Sequence, residues 1–336
     1  MDIKNITIKL SEAYGASGRE DAAAELALGM LREYCPDAVY DNGNIIGYRS
    51  KRREGRPLAV LDAHIDQVGF TVTSVTDDGF VKFAPLGGID RRLLPAQPVV
   101  IHGREDVKGV ICSIPPHLSK GSAEVPDFGD TAVDAGMTAG QLREKVSPGD
   151  SITFEVKCRE LLGSRLTGGA LDDRCGIAAI LCALELLKDC DTKYDVAVIF
   201  SSQEELGERG AAVGAFTVDA DIAIAVDVSF AMAHGEDPEK TGRLGKGPMI
   251  GISPSLSREV TDALIAAAEN AGISWQPEVM NGLTSTNADR YSVAREGAKA
   301  CTVSIPLRNM HTPAEVIDLG DVELTGRLIA EYLKEA

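Results

Sequence analysis

The sequence predicts an α/β fold interrupted by an inserted all-β domain. Helical stretches alternate with short apolar strands before residue 70 and after residue 165, and that alternation is typical of α/β domains. Between them lie short alternating segments separated by glycine, proline and aspartate, which indicate β-structure. A chain of 336 residues is also longer than the roughly 100 to 200 residues of one domain. We therefore expect one α/β domain built from residues 1–70 and 165–336, with a β-rich domain at 71–164.

The first 70 residues predict two helices and a buried strand. Helical spacing of apolar residues runs to Ala13 and breaks at Gly15, and Ser17-Gly18-Arg19-Glu20 is a capping-box pattern before an alanine- and leucine-rich run. The apolar segment 58–63 has no helical period, which favours a strand covered on both faces of a sheet. We expect that strand to end at His64.

The rest of the chain predicts first short strands and then an α/β alternation. Alternating segments at 71–75, 99–101, 107–111 and 151–156 are separated by turn-forming residues. Later elements are of two kinds, helices at 175–187, 260–271 and 321–335 and apolar strands at 196–200, 222–226 and 300–304. The later elements therefore belong with the first 70 residues rather than with the β-rich segment.

The composition indicates a soluble protein. The hydrophobic fraction is 44% and the charged fraction 25%, and no window reaches the ~18 uninterrupted apolar residues of a membrane span. A formal net charge of −17 repels nucleic-acid phosphates, so we expect neither a membrane nor a nucleic acid as partner. The seven cysteines form no C-x-x-C pair, and the first residues lack the pattern of a signal peptide. We expect reduced cysteines in a cytoplasmic protein.

Side chains able to bind metal occupy five short stretches, four of which follow predicted buried strands. Open α/β sheets bind ligands at that edge. In the first stretch, Asp62-Ala63-His64-Ile65-Asp66, His64 offers a ring nitrogen and Asp66 is placed to orient the imidazole. Taken alone, a structural histidine is the commoner interpretation of His64.

Two further stretches carry pairs of acids. Asp172 and Asp173 precede an apolar helix, where one of them could also be the helix N-cap. Glu204 and Glu205 follow the predicted strand at 196–200. Two neighbouring acids can divide the roles of metal ligand and general base for a metal-bound water.

The last two stretches add a fourth acid site and a second histidine. Asp227 ends an apolar strand, and His311 lies beyond the strand ending at Ile305. The stretches together supply two histidines and three ligand carboxylates, enough for two divalent cations with one bridging carboxylate. Without cations such crowded acids would repel one another, so we expect two metal ions; zinc, cobalt and manganese all suit these ligands. The other histidines have no evident ligand partner and are expected at the surface or around the site: His102, His117 and His234.

Six motifs in a fixed order carry a resemblance to a known family: Ala63-His64-Ile65-Asp66-Gln67-Val68-Gly69-Phe70, Ala170-Leu171-Asp172-Asp173-Arg174, Gln203-Glu204-Glu205-Leu206-Gly207, Val226-Asp227-Val228, Leu244-Gly245-Lys246-Gly247-Pro248 and Ile305-Pro306-Leu307-Arg308-Asn309-Met310-His311-Thr312-Pro313. Spread over nearly the whole chain, they closely resemble the glutamyl/tetrahedral (TET) aminopeptidase family of two-metal peptidases, which includes proteins once labelled endoglucanases. The resemblance implies a metal-dependent aminopeptidase that acts on peptides.

The resemblance also implies a role for each site residue. His64 and Asp227 would bind one ion, and Glu205 and His311 would bind the other. Asp172 would bridge the two ions. Glu204 would be the general base that takes a proton from the water between the ions and returns it to the leaving amine. Asp66 would orient His64, and the peptide bond between Asp172 and Asp173 would be cis.

The resemblance implies an architecture and an assembly as well. The catalytic domain would be a three-layer α/β/α zinc-peptidase-like domain, and the insertion a PDZ- or barrel-like domain that supports dimerisation. Relatives often form dodecamers, so we expect a homo-oligomer, either a dodecamer or a smaller assembly of dimers. Within the insertion, Pro115-Pro116-His117 and Val133-Asp134-Ala135-Gly136 resemble family sequence.

Two departures from the family pattern concern substrate recognition. Relatives commonly carry Glu where this chain has Gln67, and Asp where it has Asn287. Both changes remove an acid that we expect near the cleft, so recognition of the substrate's free amine or side chain could differ. Neither position is a metal ligand, and the hydrolytic core should be retained.

Three alternatives stand beside the aminopeptidase. A glycosidase would use Glu204 and Glu205 as acid and base, but that chemistry needs carboxylates about 5 to 9.5 Å apart, and we expect neighbours in a strand extension to point apart. Another amide hydrolase, of deacylase or carboxypeptidase type, would use the same metal site. An inactive binding or scaffold relative is disfavoured, because all five ligands and Glu204 are present.

Overall fold

A computed structural model of the chain describes residues 1–115, 117–118 and 125–335, so Pro116 of the family-like stretch lies outside the described residues. Within these ranges the chain forms eight α-helices: α1 (Ile3–Glu12), α2 (Asp21–Leu31), α3 (Ala139–Lys145), α4 (Leu171–Leu186), α5 (Arg209–Val218), α6 (Arg258–Asn270), α7 (Ala288–Val293) and α8 (Leu319–Leu333). The same ranges hold seventeen strands: β1 (Val39–Asp41), β2 (Asn44–Tyr48), β3 (Leu58–His64), β4 (Gly69–Val75), β5 (Phe80–Leu86), β6 (Pro98–His102), β7 (Asp106–Ser113), β8 (Thr131–Asp134), β9 (Ser151–Phe154), β10 (Arg159–Glu160), β11 (Arg165–Gly168), β12 (Asp195–Ser201), β13 (Ile222–Phe230), β14 (Met249–Ile252), β15 (Gln276–Val279), β16 (Lys299–Leu307) and β17 (Glu315–Asp318).

A twisted central sheet forms the core of the α/β part. Its strand order among the described residues is β1-β2-β12-β3-β13-β16-β14-β15, and the four middle strands β12, β3, β13 and β16 run parallel. Every residue of β3 and β12 is buried, because both faces of the sheet are covered. That double burial explains why their sequences are continuous apolar runs rather than alternating ones. The predicted α/β class is confirmed.

Helices cover the sheet in two groups. The long helix α4 contacts β3 and β13 and packs against α1 and α8, while α5 packs against α7. Helix α4 is apolar almost all round, as a helix in the middle of a layer must be: nearly all of its residues up to Leu184 are buried.

Strands β4 to β9 close into a separate barrel with the order β4-β5-β8-β7-β6-β9. All neighbouring pairs are antiparallel, and closure removes the exposed strand edges that an open sheet would leave. The barrel has its own core, which includes Phe70, Phe83, Ile101 and Ile152. The predicted barrel-like β-structure of this segment is therefore confirmed, and one short helix, α3, lies between β8 and β9. The boundaries at 70/71 and 164/165 stay a prediction; β10 pairs with β11, which pairs with β17 beside α8.

The predicted capping box at the start of α2 does not form. Helix α2 begins at Asp21 without a side-chain cap. Instead, the hydroxyl of Ser17 donates to Asp66 Oδ2 at 2.5 Å. The carboxylate of Glu20 accepts the backbone N–H groups of Gly18 at 2.7 Å and Gln203 at 3.2 Å. The polar residues of this pattern thus tie the N-terminal segment to the loops at the carboxyl ends of β3 and β12.

Candidate metal centre and active site

Six of the seven predicted site residues line one cavity at the carboxyl ends of the central strands. The cavity has a volume of about 700 Å³, and its wall includes His64, Asp172, Glu204, Glu205, Asp227 and His311. A cavity of about 800 Å³ lies at the amino ends of β13 and β16, and no histidine is among the described residues that line it. Ligands of open α/β sheets bind at the carboxyl edge, so the first cavity is the candidate site.

The two glutamates lie in a tight turn rather than in a strand extension. Strand β12 ends at Ser201, and Gln203 has a positive φ of 52°, so the chain turns sharply before Glu204. An oxygen of each glutamate lies within 4.8 Å of the other and of a ring nitrogen of His64. The expectation that these neighbours point apart is wrong, and their spacing remains shorter than the about 5 to 9.5 Å of a glycosidase pair.

Asp227 lies inside β13, whereas the sequence predicts it at the end of this strand. The strand continues to Phe230 because residues 228–230 stay paired with residues 305–307 of β16. The side chain of Asp227 therefore faces the cavity from the sheet itself, which gives it a rigid support. His64, by contrast, is the last residue of β3, as predicted.

Asp172 and Asp173 interrupt the start of α4. Both have non-helical backbone angles, and the peptide bond between them is cis. Asp173 Oδ1 accepts the N–H of Gly176 at 3.1 Å, as a helix cap does, whereas Asp172 lines the cavity. Asp173 is therefore the aspartate that acts as a cap, and Asp172 is the one that faces the cavity.

Asp172, the predicted bridging ligand, lies between the two histidines. Its Oδ1 is 3.0 Å from His64 Nε2, and its Oδ2 is 3.3 Å from His311 Nε2. On one side Asp227 Oδ1 lies 3.9 Å from His64 Nε2, and on the other Glu205 Oε1 lies 3.1 Å from His311 Nε2. The side chains are thus grouped in the way that the resemblance implies, and their assignment as ligands stays a prediction.

Both histidines direct the same ring nitrogen to this centre. His64 Nδ1 lies 3.1 Å from the carbonyl oxygen of Asp66, and His311 Nδ1 lies 2.8 Å from that of Gly88. A carbonyl oxygen only accepts, so in the neutral ring each Nδ1 carries the proton and each Nε2 presents a lone pair. That is the tautomer a metal ligand requires.

Asp173 is a further buried acid beside the first group and is not one of the five predicted ligands. One of its oxygens lies within 4.8 Å of ligand atoms of His64 and Asp227. Its Oδ2 has no hydrogen-bond partner in the described part of the chain. A buried carboxylate oxygen without a donor is unfavourable unless a cation lies near it.

Electrostatics in this cluster are dominated by burial and by the neighbouring acids. Burial raises the pKa of Glu204 to about 9 and that of Asp227 to about 8. Burial lowers the pKa of His311, but its contacts with Asp172 and Glu205 outweigh burial and raise that pKa to about 11. Burial likewise opposes ionisation of Asp172, yet the two histidines hold its pKa well below the usual range. Positive charge at this position would therefore stabilise the ionised form of these acids.

These residues fit a pair of divalent cations. They offer two imidazole nitrogens in the required tautomer and carboxylates on both sides of Asp172, with the ligand atoms of each group within 4.8 Å of one another. Imidazole and carboxylate together suit zinc, cobalt and manganese, and no thiolate takes part.

Asp66 supports the site from behind the cavity wall. Its buried carboxylate accepts the backbone N–H groups of Glu204 at 2.9 Å and Glu205 at 3.2 Å. The same carboxylate lies 3.5 Å from His64 Nδ1, whose nearer partner is the Asp66 carbonyl. Asp66 therefore positions the turn that carries both glutamates as well as the first histidine.

Glu315 has a comparable role that the sequence analysis missed. Its buried carboxylate accepts the N–H groups of Leu171 at 2.7 Å, Asp172 at 3.3 Å and His311 at 3.0 Å. It thereby fixes the backbone of the bridging aspartate relative to that of the second histidine. The available signal was an acid at the start of the short strand that follows the His311 motif.

The two departures from the family pattern lie in different places. Asn287 is only 2% exposed, and its Nδ2 donates to Asp62 Oδ1 at 2.8 Å and Ser201 Oγ at 2.7 Å. This side chain therefore lies in the core beneath the cleft, while the preceding residue Thr286 lines the cavity. Gln67 lines a small cavity beside Glu205, and its Oε1 accepts the N–H of Gly15 at 3.2 Å.

Comparisons with known proteins agree with this geometry. The profile of the M42 glutamyl aminopeptidase family matches residues 43–328. The chain belongs to the M42 glutamyl aminopeptidase family. A lysyl aminopeptidase from Pyrococcus furiosus is 29% identical over 335 residues, which cover 97% of this chain and 95% of that protein. The M42 chain is accordingly an aminopeptidase, a hydrolase of peptide bonds.

Solved structures show the same fold over the full length of this M42 chain. An aminopeptidase from the archaeon Desulfurococcus kamchatkensis is 32% identical with a TM-score of 0.92, covering 99% of this chain and 94% of that one. The Pyrococcus horikoshii TET1 peptidase is 29% identical with a TM-score of 0.87, covering 100% of both chains. The predicted resemblance to the TET aminopeptidases is confirmed. In the described part of the M42 chain, the helices are too short or too polar to cross a membrane.

Proposed function

We propose that this chain removes N-terminal residues from peptides at a site that holds two divalent cations. The observation that carries the proposal is the grouping of His64 with Asp227 and of His311 with Glu205 on the two sides of Asp172. Each pair would hold one ion and Asp172 would hold both. Zinc and cobalt suit the two imidazole ligands best, and manganese is a third candidate.

Glu204 is the general base of the proposed reaction. When bound, the ions supply polarisation of the scissile carbonyl and a lowered pKa of a water molecule. Glu204 lies within 4.8 Å of His64 and Glu205 ligand atoms and is not needed for the five-ligand set. Its carboxylate would accept a proton from the attacking water and then donate it to the nitrogen of the leaving amine. Asp66, which holds the N–H of Glu204, keeps that carboxylate in place.

Replacement of the general base gives the direct test. Glu204→Gln should lower kcat by about 10²- to 10⁴-fold and leave the bound metal unchanged. The measurement is hydrolysis of aminoacyl-p-nitroanilides by metal-stripped protein before and after addition of zinc, cobalt or manganese. Glu208→Gln is the matched control, since Glu208 lines the same cavity but pairs with Arg290 at 3.1 Å. Turnover of only N-blocked amines, or full activity of Glu204→Gln, would contradict the proposal.

We also propose that the chain forms a homo-oligomer in the cytoplasm. The Pyrococcus horikoshii TET1 peptidase can assemble into a tetrahedron or a large octahedral shell, and this chain shares its fold from end to end. The seven cysteines are unpaired, which is usual in a reducing compartment. Light scattering on the purified protein should give twelve times the mass of one chain, or the mass of a smaller assembly of dimers. A monomer would contradict the assembly.

A further inference from the structure

Glu278, like Glu208 and Glu239, is an acid of the active-site cavity that takes no part in the proposed chemistry. Glu278 lines the cavity and lies on β15, the edge strand of the central sheet in its described part. Its side chain reaches across β14 to β16, where Oε2 accepts the hydroxyl of Ser304 at 2.6 Å. The hydroxyl of Ser229 on β13 is also close enough to lower the pKa of Glu278. The carboxylate therefore lies over the middle of the sheet and not at its edge.

That position is close to the proposed metal ligands. Ser229 follows Asp227 by two residues on β13, so the two side chains share a face of the strand and lie roughly 7 Å apart. Ser304 is the direct neighbour of Asp227 on the adjacent strand. The carboxylate of Glu278 thus lies about one amino-acid side chain away from the point where a scissile bond would be held.

Among the described residues, Glu278 has no countercharge. Burial raises its pKa and the hydroxyls of Ser229 and Ser304 lower it, and no basic group of the described residues contributes. The basic residue Lys240 also lines the cavity, but its Nζ lies 3.7 Å from Asp237 and the residue is exposed. A desolvated carboxylate with only hydroxyl partners remains short of positive charge.

The walls next to Glu278 are apolar and adaptable. Met249 and Met280 line the cavity together with Pro277 and Phe230. Methionine side chains adjust to irregular hydrocarbon surfaces, so this part of the cavity suits an unbranched aliphatic stem. A stem with a cation at its end would satisfy both the apolar walls and the carboxylate.

We propose that Glu278 determines specificity by accepting the side-chain cation of an N-terminal lysine or arginine. This inference rests on the proposed function, because the cavity receives the first residue of a peptide only if the scissile bond lies at the metal centre. A charge-assisted hydrogen bond in a partly desolvated site is strong enough to set the preference between substrates.

The test compares substrates that differ only in the cation. Norleucine has the stem of lysine without the ε-ammonium group, so kcat/KM is measured on lysyl-, arginyl-, norleucyl- and glutamyl-p-nitroanilides with metal-loaded enzyme. The wild type should prefer lysine to norleucine by about 10- to 100-fold. Glu278→Gln should remove that preference mainly through KM and leave norleucine unchanged. Glu239→Gln should behave as the wild type, because Glu239 lines the same cavity but is exposed.

A binding measurement separates this inference from the proposed function. L-Lysine should raise the melting temperature of wild-type protein more than L-norleucine does, and Glu278→Gln should abolish the difference. If no substrate is hydrolysed but this difference is found, the proposed function fails and the recognition by Glu278 stands. A wild type without preference for lysine in turnover and binding overturns the inference. An equal loss on all substrates in a stably folded Glu278→Gln also overturns it, because the carboxylate would then hold the α-ammonium group.

Discussion

Asp62 is a buried carboxylate beneath the metal centre. Side chains from distant parts of the chain stabilise its ionised form. Asn287 Nδ2 and the Ser201 hydroxyl donate to Oδ1, and the Tyr291 hydroxyl donates to Oδ2 at 2.5 Å. Burial raises the pKa of Asp62 to about 6, and these three donors oppose that effect. An asparagine supplies a donor here that an aspartate cannot.

Asn287→Asp should therefore destabilise the protein. The change replaces the 2.8 Å hydrogen bond from Asn287 to Asp62 with a contact between two carboxylates. The loss of the donor and the repulsion should together lower the free energy of unfolding by about 3 kcal/mol or more. Urea unfolding at neutral pH measures this, with Asn281→Asp as the exposed control, expected within about 0.5 kcal/mol of wild type. Equal stability of Asn287→Asp and wild type would contradict the donor role of Nδ2.

At the scale of elements, the barrel meets the segment after α1 through two stacked rings. The rings of Tyr14 and His102 lie 3.7 Å apart between centroids with an interplanar angle of 7°. His102 Nδ1 lies 2.9 Å from Asp106 and Nε2 lies 2.9 Å from the Thr153 hydroxyl. The expectation that His102 is a surface residue or lies around the metal site is wrong; its side chain is 7% exposed and packs between the barrel and the α/β part.

This contact should weaken in acid. Burial lowers the pKa of His102, and Asp106 opposes burial only in part. The folded state thus disfavours the protonated ring of His102. The neutral ring therefore contributes its full stabilisation above the pKa of about 6.5 that histidine has in the unfolded chain. That stabilisation is lost as the pH falls toward the lower pKa of the folded state. His102→Asn lacks this titration. Its deficit in unfolding free energy relative to wild type should shrink between about pH 7.5 and about pH 5.5.

Urea unfolding at the two pH values tests that prediction. His234→Asn, at an exposed position, is the matched control for the loss of a histidine. A deficit of His102→Asn that grows in acid would mean that the protonated ring stabilises the contact.

At the scale of the whole molecule, the metal centre joins β3, the turn after β12, β13 and the start of α4. Ions that bind only the folded chain stabilise it by about 2.7 kcal/mol at a concentration 100 times Kd. Metal-stripped protein should therefore melt at a lower temperature than protein reloaded with zinc or cobalt.

Asp227→Asn should separate metal binding from charge repulsion. The variant should lose most of the metal-dependent rise in melting temperature, while its stripped form should melt no lower than stripped wild type, because a buried carboxylate beside other acids has been neutralised. Differential scanning calorimetry of stripped and reloaded protein measures both effects. Asp237→Asn is the exposed control and should keep the full rise; an Asp227→Asn variant that also keeps it would remove Asp227 from the ligands.

Some of the site could be predicted from the sequence because its residues sit at the ends of recognisable elements. Strand β3 is a largely apolar run that ends at His64, and Glu204 is the third residue after the end of β12. Strand β13 extends past Asp227, because residues 228–230 are held by pairing with residues 305–307 of β16, and no local pattern in the sequence shows that pairing.

The sequence by itself determined the α/β class, the inserted β-rich segment and the six residues that line the candidate metal cavity, because periodicity and motif order can be read from the chain without its tertiary contacts. Only the tertiary structure decided that Asn287 supports Asp62 across 225 residues and that Glu315 holds Leu171 across 144. It also decided that Ser17 binds Asp66 instead of capping α2. Such contacts depend on which strands become neighbours, and in a parallel sheet neighbours come from distant segments that no local pattern specifies.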